Sequence, residues 1–311
     1  MAITAGMVKE LREKTGAGMM DCKKALTNTD GDMDKAVEWL RENGLAKAEK
    51  KAGRIAAEGI VKTFISADGK NASMVEVNSE TDFVAKNDKF QDFVGDVVEQ
   101  INGSAAEDVE AFLAEAWAKD SSKTVKEELA SMVATIGENM NIRRFAKLSA
   151  DNGVVVDYIH AGGKIGVLIA AETDNTGDEV VECLKNVAMQ IAAMNPEYLS
   201  ADDVSEEYKE KEKKILLEQA KNDPKNAGKP ENIIEKMIIG RLNKELKEVC
   251  LTEQVYVKAE NKETVAKYVE SVAKAVGCNL KLTGFVRYET GEGLEKKEED
   301  FAAEVAAQMN A

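Results

Sequence analysis

Histidine is almost absent from this 311-residue chain: His160 is the only one. A multi-histidine metal centre is thereby excluded, and nucleophile–histidine–acid chemistry nearly so. Cysteine is scarce as well. Cys22, Cys183, Cys250 and Cys278 form no CxxC pair, and none has a histidine at ligand spacing. Neither a zinc site nor a disulfide framework is expected, and buried reduced thiols are the default. No apolar run approaches the roughly 18 residues of a membrane span. The N-terminal MAITAGMVKELREKTG has neither the apolar centre of a signal peptide nor the composition of a transit peptide, so the expected location is cytoplasmic, with no membrane partner. Positive charge is in deficit, with 42 Lys and Arg against 57 Asp and Glu and a net charge of −15. That balance argues against direct nucleic-acid binding, because phosphate contacts need clustered basic residues.

Hydrophobic residues make up 44% and charged residues 32% of the chain, a globular composition long enough for two or three domains. The first 50 residues read as three short helices. Met7, Val8 and Leu11 share one helical face, and Thr15-Gly-Ala-Gly18 makes a turn. Met19 to Leu26 forms a second helix. Asp30-Gly-Asp32 caps a third, which carries Met33, Ala36, Val37 and Leu40 and is expected to end at Asn43-Gly44. The Ala-rich, charged stretch that follows is a linker or a bridging helix.

The pattern then changes. Ile60–Ile65 and Ala72–Val77 are strand-like around a turn, and Phe90, Phe93, Val94, Val97, Val98 and Ile101 recur at helical spacing. The same hairpin-then-helix order returns at Val154–Ile159, Ile165–Ala171 and Val180–Ile191. Glu80-Thr-Asp82 is echoed by Glu172-Thr-Asp174, which points to an internal duplication of one α+β unit. All three prolines lie at 196, 224 and 230, bracketing two charged helical segments with a thin apolar line. These are expected to form a projecting antiparallel hairpin of helices, with a reversal tip at 222 to 230. Strand-like runs at Gln254–Lys258 and Asn279–Tyr288 flank a helix at Glu263–Val276, and an Ala-rich helix, Phe301–Met309, closes the chain. The stretch 102 to 126 carries no pattern that assigns it.

Catalytic constellations are missing. Thr15 to Lys24 and Gly162-Gly-Lys164 lack the spacing and the following Ser or Thr of a phosphate-binding loop. Fifty-seven acids make any carboxylate pair uninformative. One stretch stands out, Asn78-Ser-Glu-Thr-Asp-Phe-Val-Ala-Lys-Asn-Asp88. Phe83 either packs back as a staple ahead of the helix capped at Asn87 or Asp88, or is an anchor for another molecule. The second copy of the unit has no aromatic at this place, so the scaffold does not require one. The residues leave both alternatives open, and with them a binding role such as that of a non-catalytic adaptor.

Thr15 to Leu26, Thr81-Asp-Phe-Val-Ala-Lys86, Ile136-Gly-Glu-Asn-Met-Asn-Ile-Arg-Arg144 and Asp300 to Val305 closely resemble the bacterial elongation factor Ts family, in order along the whole chain. The resemblance implies a guanine-nucleotide exchange factor for elongation factor Tu, without covalent catalysis and without a cofactor or metal of its own. It implies an α+β fold with a ubiquitin-associated-like three-helix bundle at 1–55 and a duplicated core. The core would comprise an N-lobe at 56–150 and a C-lobe at 151–200 and 252–288. A coiled-coil arm would be inserted at 201–251, and a C-terminal helical module would occupy 289–311. By the same resemblance Thr81, Asp82, Phe83 and Val84 would dislodge Mg²⁺ from the GTPase, with Phe83 as the wedge. Ile136, Gly137 and His160 would line the same contact, Cys22 and Lys23 would touch the GTPase from the bundle, and the arm would be a possible homodimer contact. The arm tip at 222–229 is somewhat longer than is usual for the family.

Overall fold

The computed structural model describes residues 2–226 and 229–295. The helix expected at Phe301–Met309 lies outside the described residues. Three helices open the chain: α1 (Ala5–Thr15), α2 (Met19–Asn28) and α3 (Met33–Lys51). Thr4 caps α1 by accepting from the Met7 amide, and Gly16 ends it in the left-handed region at φ 69°. Asp32 caps α3 through the Lys35 amide. Val8, Leu11, Cys22, Ala25, Leu26 and Ala36 form the buried centre of this unit.

The central part follows as β1 (Glu58–Ile65), β2 (Asn71–Ser79), α4 (Asp82–Ala85), α5 (Asp88–Gly103), α6 (Val109–Ala114), β3 (Ala116–Trp117), β4 (Asp120–Thr124), α7 (Val125–Ile136) and β5 (Met140–Ser149). Next come β6 (Gly153–His160), β7 (Ile165–Thr173), α8 (Asp178–Met194), α9 (Glu206–Asn222), α10 (Glu231–Val249), α11 (Val265–Val276) and β8 (Leu280–Glu289). Two three-stranded antiparallel sheets result, ordered β1-β2-β5 and β6-β7-β8, with Ile60 opposite Val77 in the first and Val156 opposite Ile169 in the second, and β3 pairs with β4 in a small sheet of its own.

Helix α5 lies along the outer face of the first sheet and α8 along that of the second. The apolar stripe of α5 packs on Ile60, Val75 and Val77, and that of α8 on Val154, Val156, Val167 and Ile169. The opposite faces meet each other through Val61, Met74, Val155, Leu168 and Ala170. Strand β2 is therefore covered on both sides, which is why Ala72 to Ser79 are all buried. The sheets approach closely at Gly166, where a Cβ would fall 2.4 Å from Val61 Cγ1 and 3.0 Å from Met74 Sδ. The α+β class and the hairpin-then-helix order read from the sequence are both present.

Glu76 stands on the face of β2 turned toward the other sheet, fully buried. It accepts hydrogen bonds from Arg143 Nη1 (2.9 Å), Arg144 Nε (2.6 Å), Asn78 Nδ2 (3.0 Å) and the Gly291 amide (2.8 Å). Burial raises the pKa of this carboxyl. The Gly291 amide, Asn78 and the two guanidinium groups outweigh that effect, and the net shift is downward.

Helices α9 and α10 pack together along Leu216, Ile238 and Leu242. The base of the pair is closed by the Glu197 and Tyr198 amides, which both donate to Val249 O. Seventeen residues in α9 give an arm of about 25 Å. Among the described residues no helix is long and apolar enough to cross a membrane.

Two expectations need correction, and one strand is added. The third helix does not stop at Asn43-Gly44 but continues to Lys51. Gly44 is buried where α3 crosses α7, near Ala130 O and Ala134 Cβ, so it serves helix–helix approach and not a left-handed stop. The run at Gln254–Lys258 is not a strand beyond an isolated bridge from Val255 to Thr264. There the buried side chain of Gln190 accepts from the Val257 amide and donates to Val255 O, taking the place of a neighbouring strand. Tyr256 turns inward to stack on Tyr268, with ring centroids 4.1 Å apart. Finally, the third strand of the first sheet, β5, went unread because Arg143-Arg144 interrupts its apolar alternation.

Two outcomes follow from this packing. Gly166→Ala forces a methyl into the closed sheet–sheet contact and should cost about 1–3 kcal/mol in urea unfolding without changing the secondary structure. The second concerns Glu127, which caps α7 with Thr124 and forms a two-pronged pair with Arg41 of α3. The Arg41 hydrogen bonds draw its pKa down from 4.5 to about 2. A depressed folded-state pKa stabilises above the unfolded value, and that contribution disappears as pH falls toward the folded value. The stability difference between wild type and Glu127→Gln should be constant above about pH 5.5 and shrink between pH 4.5 and 2. A gap that widens on acidification would contradict it.

Candidate partner-binding site

Strand β2 ends at Ser79, and the chain turns through Glu80 and Thr81 into the four-residue helix α4. Thr81 is the cap: its hydroxyl accepts from the Val84 amide at 3.4 Å. The next two apolar side chains part company. Val84 is buried in the core beside the first sheet, whereas Phe83 is 80% exposed, the most exposed of the large hydrophobic residues among the described residues. The staple alternative for Phe83 is thereby removed, and Val84 does the anchoring that a staple would have done. Asn87 then caps α5 through the Lys89 amide.

The turn is pinned from below by the segment that joins α7 to β5. Glu138 Oε2 accepts from the Glu80 amide (3.1 Å) and the Thr81 amide (3.0 Å), and its Oε1 accepts from the Thr81 hydroxyl (2.7 Å). In return Glu80 Oε1 accepts from the Asn139 amide at 2.6 Å. Ser79 Oγ donates to Thr81 O at 3.0 Å. The end of α3 joins the same place. Lys51 Nζ donates to Gly137 O, Arg54 pairs with Glu80, and Asn139 Nδ2 donates to Arg54 O at 2.8 Å. Gly137 stops α7 in the left-handed region at φ 95°, which turns Glu138 toward Thr81.

Asp82 pairs with Lys86 at 2.7 Å, and this hydrogen bond holds its carboxyl below the usual range. The charge of Lys164 acts on Asp82 in the same direction. Lys164 belongs to the β6–β7 turn, which is tied to β1 by the Val61 amide donating to Gly163 O at 2.7 Å and by the Lys164–Glu58 pair. His160 opens that turn. It is exposed, with Nδ1 at 2.9 Å from the Tyr158 hydroxyl.

The structure thus gathers Thr81, Asp82, Phe83, Ile136, Gly137 and the His160 turn at one end of the sheets. Ile136 is half-buried against the first core and Gly137 is exposed. Lys23 is exposed on α2, in the helical bundle. Cys22 requires correction: it is fully buried among the three helices, and burial raises its pKa, so its thiol is a packing group and not a surface for a partner. Glu138, Glu80, Lys51 and Arg54 were not singled out from the sequence. The available signal was an acid one residue beyond a helix-stopping glycine. No group of three or more His, Cys, Asp or Glu residues is placed to hold a metal ion among the described residues. The arrangement can present one exposed aromatic ring, next to the Asp82 carboxylate, from a fixed backbone.

The family model described as Elongation factor TS matches residues 80–292, a span that begins at the turn carrying Phe83. Elongation factor Ts of Clostridium novyi (strain NT) is 54% identical over 308 residues, covering 99% of both chains. Elongation factor Ts of Clostridium botulinum (strain ATCC 19397 / Type A) is 53% identical over the same length and coverage. That of Clostridium tetani (strain Massachusetts / E88) is 53% identical over 307 residues, again covering 99% of both. The chain belongs to the elongation factor Ts family.

Proposed function

We propose that this protein accelerates GDP release from elongation factor Tu by binding its G domain, disturbing the bound Mg²⁺ and stabilising the nucleotide-free state so that GTP can enter. The observation that carries this is Phe83, 80% exposed on a backbone whose neighbours are buried or hydrogen-bonded. An exchange factor needs no catalytic group. It needs to bind the empty GTPase more tightly than the loaded one, and by linkage the factor by which nucleotide weakens its binding is the factor by which it weakens nucleotide binding. A coupling of about 4 kcal/mol corresponds to about a thousandfold in nucleotide affinity. GTPase-bound nucleotide is held by backbone amides and by Mg²⁺ bridging protein and phosphate oxygens. A ring inserted beside that site weakens both holds at once.

In this function Phe83 is the wedge, Asp82 and Thr81 contact the region around it, and Val84 acts through the backbone it anchors. Ile136, Gly137 and His160 extend the contact, and Lys23 supplies a second one from the bundle. The domain division belongs to the same proposal: a ubiquitin-associated-like bundle at 1–55, a duplicated core, a coiled-coil arm at 201–251 that provides a surface for a second copy, and a C-terminal helical module. So does a cytoplasmic setting with no nucleic-acid or membrane partner.

Release of a fluorescent GDP analogue from elongation factor Tu tests it. Wild type should accelerate release. Phe83→Ala removes an exposed side chain, so its unfolding midpoint should match wild type while the acceleration falls about tenfold or more. Equal acceleration by a folded Phe83→Ala variant would remove Phe83 from the mechanism, and none by wild type would remove the function.

A further inference from the structure

Building on the exchange function just proposed, we infer that Glu138 is a positioning residue, whose carboxylate fixes the turn that holds Phe83 outward. Three of its hydrogen bonds converge on two consecutive residues, Glu80 and Thr81, at 2.7 to 3.1 Å. Thr81 has no free polar group left. Its amide and hydroxyl donate to Glu138, its carbonyl accepts from Ser79 Oγ, and its hydroxyl oxygen also receives the Val84 amide. Phe83 follows two residues later with no side-chain packing to set its direction, so the ring's position is inherited from this turn and from Val84.

The second lobe provides an internal comparison. Strand β7 ends at Thr173 as β2 ends at Ser79, each followed by an acid, Asp174 in the second lobe and Glu80 in the first. The local bond is the same in both lobes, Thr173 Oγ1 donating to Asn175 O as Ser79 Oγ does to Thr81 O, and in the second lobe Asn175 Oδ1 also accepts from the Gly177 amide. Asn279, beside the start of β8, is a donor to Asp174 and brings no carboxylate to the turn. The chain runs directly into α8, with no short helix and no exposed aromatic. A remote carboxylate holds the turn only in the lobe where an aromatic side chain is presented. A turn that merely joined a strand to a helix would be served by the local bonds of the second lobe. Fixing the ring before contact avoids the cost of ordering it on binding and keeps it aligned for insertion.

The test uses the full-length chain and measures GDP release from elongation factor Tu over a range of factor concentrations. Glu138→Ala should lower the saturating release rate about tenfold while the half-saturating concentration moves less than about twofold. Glu138→Gln retains an acceptor for the two amides and should recover most of that loss. In a Phe83→Ala background, Glu138→Ala should change the rate less than about twofold, because a residue that works through the ring has nothing left to position. Hydrogen exchange at the Thr81 and Val84 amides should quicken in Glu138→Ala, a readout independent of any partner. Losses of equal size in both backgrounds, or wild-type rates in Glu138→Ala, would overturn the inference. If wild type itself does not accelerate release, the exchange function fails instead, and the amide exchange still reports whether Glu138 holds the turn.

Discussion

The buried carboxylate of Glu76 is the constraint on which much of this structure depends. A lone carboxylate on the inner face of a central strand would carry a severe desolvation penalty, and here four donors from three parts of the chain offset it. Two of those donors, Arg143 and Arg144, lie on β5 and fix that strand against β2. A third, the Gly291 amide, comes from the turn after β8, in the other sheet. Arg144 also donates to Glu289 O, and its guanidinium lies over the Tyr288 ring at 4.2 Å. The two sheets are therefore joined by charge-assisted hydrogen bonds as well as by apolar packing. Removing the carboxylate would leave two half-buried guanidinium groups without their partner, the arrangement that makes broken buried pairs so damaging.

That constraint reaches the candidate site through register. Once the two arginines lock β5 onto β2, Met140 is opposite Ser79, so the entry of β5 and the exit of β2 share one end of the sheet. Glu138 and Thr81 lie just beyond that pair, and their hydrogen bonds continue the ladder with side chains where the backbones diverge. The bundle enters the same junction through Lys51 and Arg54, so α3, α7 and the Phe83 turn share one set of hydrogen bonds. The position of one exposed ring is thus set by a buried ion cluster and by the packing of α3 on α7.

The sequence carried the local parts of this arrangement and not the long-range ones. Helix α5 and both hairpins are legible because their apolar spacing matches a single period and their caps, such as Asn87, sit next to them. The helical arm is legible from its prolines and its charge. What hides is whatever answers to a distant partner. Gly44 looks like a helix stop until α7 is seen crossing it. Arg143-Arg144 looks unlike a strand until Glu76 is found buried opposite. Val255 to Val257 looks like a strand until Gln190, more than sixty residues away, takes the hydrogen bonds a neighbour would have made. For the site, resemblance supplied the Phe83 segment and Gly137, but exposure separated Phe83 from Val84 and withdrew Cys22, and neither distinction is written in residue type.

On the proposed exchange function, the contrast between the two sheets also describes how binding is added to a fold at small cost. Both close a hairpin, follow the middle strand with an acid, Glu80 or Asp174, and lay a helix across the outer face. The second copy enters its helix at once, through a turn satisfied by its own side chains. The first inserts a single helical turn, buries Val84 to fix it and leaves Phe83 in water. An exposed phenyl group gains nothing for folding, since burial is where its free energy lies. Its stabilisation is deferred to a complex, while the hydrogen bonds that hold its backbone are already made in the free protein. A factor that must favour one state of its partner over another benefits from that division, because the free energy of burying the ring can then be spent on the partner's conformation and not on ordering its own loop.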